Sequence, residues 1–305
     1  MKIFNNTFIT KKYKRAAVAI GNFDGVHKGH QKVFNSAKKF ANKKNTKFGI
    51  ITFTPLPIMF FNKKLKNYKL TSQEQKFRIF KKYKVDFIVN VNFNKSFSKI
   101  SAEKFIKNII FKKINPKLLF VSNNFKFGNK RKGNINLLKK FSSKYDYKLK
   151  KVSPFMYKKK IVSSTRIRKC LMAGNINLAN KLLSRVWSME GKVIKGKKLG
   201  RKLGYRTCNI NTQKYILPKS GIYAVKARVG NANNKHKGVA YLGTRPTFGG
   251  KKILLETNLF NIRKNLYKKR LRIYFFKFMR PDKKFKNSRE LIRQMNKDVI
   301  LAKKV

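Results

Sequence analysis

His27 and His30 stand three residues apart in GNFDGVHKGHQ (residues 21–31), directly after the apolar run AVAI. Two imidazoles at that spacing share one face of a helix, so their N–H groups can donate to the same phosphate. Read as strand, turn and helix, the stretch puts both histidines on the first helical turn. Unsatisfied backbone N–H groups and the helix dipole already favour an anion there. Gly21 and Gly25 let the backbone approach a nucleotide without a Cβ in the way, and Asn22, Phe23 and Asp24 complete the turn between them. The chain has three histidines, and two of them are here, which favours a phosphate site over a pair of solvated surface side chains.

A second constellation lies in VSSTRIRKCL (162–171). Ser163, Ser164 and Thr165 are hydroxyl donors, and Arg166 and Arg168 are planar forks that match phosphate oxygens. Alone, the stretch reads equally well as an ordinary capped helix. Its meaning depends on the histidine pair.

The elements that would position these groups follow from hydrophobic period. In the first half, AVAI (17–20), FGIITF (48–53), FIVNVNF (87–93) and LLFVS (118–122) predict strands. Between them, Val33, Phe34, Ala37, Phe40 and Ala41 recur at helical spacing, and further helices are predicted over 72–82, 102–112, 134–143 and 164–183. That alternation predicts an α/β, Rossmann-like domain with a parallel sheet. From about Trp187 the texture changes. EGKVIKG, GIYAVKARVG, KGVAYLG, ILLETNLF and RLRIYFFKFM read as strands separated by turns, which predicts a compact antiparallel β-barrel. Only SRELIRQMNKDVILAKK at the end is helical, with Leu291, Ile292, Met295 and Val299 on one stripe and Ser288 as its predicted N-cap. The expected domains are 1–185 and 186–305, with no internal repeat.

Composition points elsewhere at first. Lys and Arg number 78 against 10 Asp and Glu, a formal charge of +68 that would attract a polyanion such as RNA. The ten carboxylates divide evenly, however, five before residue 185 and five after it, and no basic arm stands apart from a neutral core. Lysine, asparagine, isoleucine and phenylalanine are enriched together, as drift in an AT-rich genome would produce. No specific nucleic-acid partner is therefore expected. No run of eighteen apolar residues occurs, and AAVAIG is too short for a signal peptide core, so a cytoplasmic enzyme without a membrane partner is expected. Cys170 and Cys208 show neither disulfide nor zinc spacing.

The motifs also occur in a recognisable order. GNFDGVHKGHQ, TFTPLP (52–57), NFKFGNKRKG (124–133) and SSTRIR, followed by AGNINLANKLLSR, resemble the bifunctional bacterial riboflavin kinase/FMN adenylyltransferase family, or FAD synthetase. The resemblance implies that the HxGH pair, the turn 21–25, Asn124 and the 163–168 motif grip the triphosphate of ATP while FMN attacks its α-phosphate. The second half is similar to the flavokinase module. GKKLGRKLGYRTCNI resembles its glycine-rich segment, GTRPTF a following loop, and LETNLFNIRKNLY the strand bearing the catalytic glutamate. Gly196, Gly200 and Gly204 would then form a flap over phosphates. Thr207 and Asn209, two apart on a strand, would offer neutral oxygens to Mg²⁺ carried by ATP. Glu256 would accept the ribityl hydroxyl proton. Substrates implied are riboflavin, FMN and ATP, with at most transient homo-oligomerisation.

Departures from that family pattern are Arg206 for a proline, Cys208 for an alanine, Leu56 for a histidine, Asn261 for an aspartate and Ser122 for a glycine. Arg206 is the sharpest, because it removes a fixed φ beside the implied metal ligands. Three other readings stay open at this level. They are an adenylyltransferase with an impaired kinase module, a different HxGH nucleotidyltransferase, and a basic RNA-binding protein whose aromatic residues stack on bases.

Overall fold

Apolar runs without alternation suit strands covered on both faces, and the first half of the chain is built on them. The computed structural model describes residues 1–195, 204–212, 215–243, 253–262 and 265–305. Its contacts define two units, residues 1–66 with 73–163, and residues 67–72 with 164–305.

In the first unit, β1 (Lys2–Phe4), β2 (Ala17–Ile20), β3 (Phe48–Thr54), β4 (Phe87–Asn92), β5 (Leu118–Ser122) and β6 (Lys148–Val152) form one sheet. Their order is β1-β4-β3-β2-β5-β6, and every pairing is parallel. The helices are α1 (Lys28–Lys43), α2 (Pro57–Phe61), α3 (Gln73–Lys82), α4 (Lys95–Ser98), α5 (Ala102–Lys104) and α6 (Ile135–Lys144), with a π-helical stretch Phe105–Ile114 continuing α5. Alternate residues of β2 serve opposite faces of the sheet. Ala17 and Ala19 pack with Val33, Phe34 and Ala37 of α1, whereas Val18 and Ile20 pack with Ile106, Ile110 and Leu138.

All four strands expected in this half are present. β1 and β6 were not legible, and both are edge strands. β6 reads KLKKV, a lysine-rich sequence of the kind that blunts a sheet edge and hides the strand's period. A short hairpin, β7 (Met156–Tyr157) and β8 (Lys160–Ile161), closes the unit.

The second unit begins with α7 (Ser164–Met172) and α8 (Ile176–Leu183). One helix was expected over 164–183. The chain instead breaks at Gly174, whose φ is +77°, and Asn175 starts α8 by accepting a hydrogen bond from Leu178 N at 3.1 Å. There follows a closed antiparallel barrel of β9 (Ser188–Ile194), β10 (Thr207–Ile210), β11 (Gly221–Val229), β12 (His236–Gly243), β13 (Leu254–Leu259) and β14 (Arg270–Arg280). The strand order around it is β10-β13-β12-β11-β14-β9. Each apolar segment read as a strand from Trp187 onward contributes one.

α8 is tied to the barrel by Asn180, whose side chain donates to Phe275 O at 3.0 Å and accepts from Trp187 N at 2.7 Å. Residues 67–72 join the same unit because the buried Trp187 indole donates to Leu70 O at 2.9 Å and Lys69 bridges to Tyr215. The last helix, α9 (Ser288–Lys303), is capped by Asn287, which accepts from Glu290 N at 3.0 Å, and not by Ser288. Asparagine accepts that bond at least as well as serine.

Candidate active sites

The turn between β2 and α1 is tightly constrained. Phe23, Gly25 and Val26 have φ of +48°, +80° and +40°, three left-handed residues within four positions. Such a backbone costs on the order of 1–3 kcal/mol for each residue other than glycine, and it persists only where the surroundings fix it. Here Phe23 is buried in edge contact with Phe34 at 4.8 Å between ring centres, and Gln31 Nε2 donates to Val26 O at 2.9 Å. Asp24 is buried within the same turn.

His27 is the N-cap of α1 and does not lie in its first turn, where the spacing alone had put it. Its Nδ1 accepts from His30 N at 3.4 Å. An accepting ring nitrogen carries no proton, so neutral His27 keeps its proton on Nε2 and remains a donor there. The two imidazoles stack with centres 3.6 Å apart and planes 22° from parallel, and Phe23 meets the edge of His30 at 5.2 Å. Gly29 permits this packing, since a Cβ there would lie 3.1 Å from the His27 ring and 3.3 Å from Val162 O. The pair is thus brought together on a helix N-terminus, as the motif predicts.

Ser163 is half-buried at the end of the first unit, and Asn124 is exposed on the turn after β5. Leu56 is buried and precedes α2 as its cap residue, without a side-chain hydrogen bond. Thr52 and Lys76 are buried beneath the turn and were not singled out in the sequence. Thr52 opens the TFTPLP motif but has no individual mark inside its strand run, and Lys76 is one basic residue among 78.

Ser164, Thr165, Arg166 and Arg168 all lie on α7 and open the second unit. Arg168 is buried there. Its guanidinium lies 3.7 Å over the Tyr68 ring, and Nε donates to Tyr68 O at 2.9 Å. Arg166 is half-buried and Thr165 exposed.

In the barrel, pairing register brings three of the implied kinase residues onto one surface. Asn209 on β10 is directly opposite Glu256 on β13, Thr207 is opposite Asn258, and Glu256 is in turn opposite Tyr241 on β12. Residues directly opposite in an antiparallel pair share a face at about 5 Å between Cβ atoms. Thr207, Asn209, Glu256, Asn258 and Tyr241 therefore form one polar cluster. Asn209 is buried, and Glu256 Oε1 is shut off from solvent. Cys208 alternates to the other side opposite Thr257, and burial pushes its thiol pKa up. Asn258 Nδ2 donates to Arg206 O at 2.8 Å, which holds the backbone where the implied family has its proline. Asn258 and Tyr241 were not read from the sequence, although period-two alternation from Glu256 reaches Asn258. Gly204 has φ of +83°, and among the described residues nothing lies within 4 Å of where a Cβ would stand. Gly196, Gly200 and most of GTRPTF lie outside the described residues.

Among the described residues no group of three or more His, Cys, Asp or Glu side chains could hold a metal. No described helix is long and apolar enough to cross a membrane.

Comparison with known proteins divides the chain in the same order. The FAD synthetase family matches residues 9–166, and the riboflavin kinase family matches residues 183–305. A protein of Buchnera aphidicola subsp. Schizaphis graminum named bifunctional riboflavin kinase/FMN adenylyltransferase is 43% identical over 308 residues, covering 100% of this chain and 98% of its own. Proteins of the same name from Escherichia coli K12 and Bacillus subtilis are 31% and 33% identical, covering 94% and 95% of this chain and 91% and 92% of theirs. A solved structure described as a macrolide-efflux protein from Streptococcus pneumoniae is similar along its length. It has a TM-score of 0.84 and 26% identity, with 99% of this chain and 98% of that one covered.

Proposed function

This chain belongs to the bifunctional riboflavin kinase/FMN adenylyltransferase family, and from that premise we propose which of its residues perform the two reactions. The kinase converts riboflavin and ATP to FMN and ADP. The adenylyltransferase converts FMN and a second ATP to FAD and pyrophosphate. We assign adenylyl transfer to residues 1–185 and phosphorylation to residues 186–305.

In adenylyl transfer an oxygen of the FMN phosphate attacks the α-phosphorus of ATP, and the bond from that phosphorus to the pyrophosphate oxygen breaks. The attacking phosphate is already ionised at neutral pH, so no protein base is needed and catalysis reduces to alignment and charge stabilisation. Donors supply both. We assign His27 Nε2–H, His30 and the N-terminus of α1 to the triphosphate, and the family resemblance adds Ser163, Ser164, Thr165 and Arg166 as phosphate donors. Arg168, held by Tyr68, fixes the start of α7 in this reading.

In the kinase the nucleophile is a neutral ribityl hydroxyl, which gains from a base. One observation carries the assignment of that base. Of the five carboxylates after residue 185, Glu190 is buried against Arg272 and Arg270, and Asp298 is gripped by Arg280 at 2.6 and 2.9 Å. Asp282 accepts from Ser220 at 3.0 Å, and Glu290 lies in the first turn of α9. Of the five, only Glu256 lies directly opposite Asn209, with Thr207 two residues along the same strand. The neutral hydroxyl and amide oxygens of those two residues suit Mg²⁺ that arrives on ATP and keeps most of its ligands from phosphate and water. The ion would neutralise charge on the transferring phosphoryl group. Glu256 would take the hydroxyl proton as the bond to the γ-phosphorus forms and the bond to the ADP oxygen breaks.

Incubating the protein with riboflavin, ATP and Mg²⁺ and separating the flavins tests both modules together. FMN followed by FAD is expected. FAD from supplied FMN, without FMN from riboflavin, would mean the kinase module is impaired.

Arg206 has a defined expected effect. Thr207 and Asn209 serve ATP only if the strand before them keeps its direction, and Asn258 now does part of what a proline would. Arg206→Pro should lower the Michaelis constant for ATP in the kinase reaction about two- to fivefold, the scale of a backbone restricted at a compatible site. An unchanged constant would mean that the position is neutral.

The charge of +68 is read as drift, and the protein as a cytoplasmic enzyme with small-molecule substrates. RNA should bind without sequence preference at about micromolar Kd or weaker at physiological salt, with steep loss as salt rises. Filter binding against several RNAs measures this, and submicromolar preference for one of them would overturn it.

A further inference from the structure

Among the described residues Lys76 is the one buried lysine, at 5% exposure. Removing an ammonium from water is unfavourable unless fixed acceptors replace its hydration. Two of its acceptors identify what it holds. Nζ donates to Thr52 Oγ1 at 2.9 Å and to Asn22 O at 3.4 Å, and Thr52 Oγ1 donates to the same Asn22 carbonyl at 3.2 Å. Thr52 lies on β3 and is itself fully buried. A lysine on α3 and a threonine on β3 therefore converge on one peptide group of the strained turn that leads into His27.

That peptide has a consequence for the turn's other side. In a trans peptide the C=O and the following N–H point in opposite directions. With Asn22 O drawn toward Lys76 and Thr52, Phe23 N–H is directed away from them, and Phe23 begins the left-handed run at φ of +48°. A flip of this peptide would turn a carbonyl oxygen to where a donor now points.

We propose that Lys76 is a positioning residue for adenylyl transfer, acting through the Asn22–Phe23 peptide to hold the turn in the form that receives ATP. This rests on the reading of the 21–31 turn as the nucleotide site. Steady-state kinetics of FAD formation from FMN, in the full chain, tests it. Lys76→Met should raise the Michaelis constant for ATP about ten- to hundredfold, the scale of a charge-assisted hydrogen bond, while FMN formation in the second unit stays near the parental rate. Lys76→Arg should recover part of the loss, because it restores donors, whereas a side chain that only fills space would be served by methionine as well as by arginine. An unchanged constant in Lys76→Met, or arginine no better than methionine, would overturn the proposal.

Should Lys76→Met lose both activities through misfolding, Thr52→Val decides. It keeps the ammonium and removes its nearer acceptor, so the constant for ATP should still rise, and no rise would count against Lys76. His27→Ala measured alongside separates the two readings. A parental rate of FAD formation there would mean that the turn is not the nucleotide site at all.

Discussion

Replacing His27 with alanine should cut FAD formation by about a hundred- to a thousandfold, the effect of removing one preorganised donor from a developing charge. FMN formation from riboflavin should continue near the parental rate, because it belongs to the other module. The geometry makes the test sharper than a single substitution. His27 has two roles in this proposal: Nδ1 accepts from His30 N to cap α1, and Nε2–H donates to phosphate. Alanine removes both, and the lost cap alone costs about 1 kcal/mol of helix stability. His27→Asn keeps a side-chain oxygen able to cap the helix but has no group at the position of Nε2. If donation to phosphate is the histidine's role, asparagine restores stability and not rate. Thermal unfolding and FAD production measured on both variants separate the contributions. FAD production at the parental rate in either would exclude His27 from the reaction.

Glu256→Gln should reduce FMN production by about a hundred- to ten-thousandfold, the range for loss of a positioned general base. Glutamine preserves size and hydrogen bonding but cannot accept the ribityl proton. Riboflavin binding, followed by flavin fluorescence, should therefore change little, and supplied FMN should still be converted to FAD. The register limits the alternatives. Glu256 is opposite Asn209 on one side and Tyr241 on the other, and the other carboxylates after residue 185 are engaged elsewhere, so no second acid stands ready to replace it. Loss of both activities would give Glu256 a structural role. Full kinase activity would mean that the step runs without this base.

AVAI followed by GNFDGVHKGHQ announced a strand, a turn and a helix, because strand burial, glycine conformations and helix starts are local properties carried by neighbouring residues. The same locality made five of the six barrel strands readable from their turns, all but β10, and the order of the motifs identified the family. β1 and β6 escaped because edge strands bury little; β1 is only three residues long, and in β6 lysine erased the period. The break at Gly174 escaped because a helical period continues on either side of it.

What only the tertiary structure decided is partnership. That Asn209 and Glu256 are opposite one another depends on the register between strands separated by more than forty residues. That Lys76 grips the Asn22 carbonyl depends on α3 packing beside β3. That Arg168 stacks on Tyr68 depends on residues 67–72 lying with the second unit. In a chain with 78 basic residues, type and spacing cannot single out one lysine or one arginine. Burial can, because an ion removed from water stays charged and buried only where the fold has brought fixed polar groups to meet it.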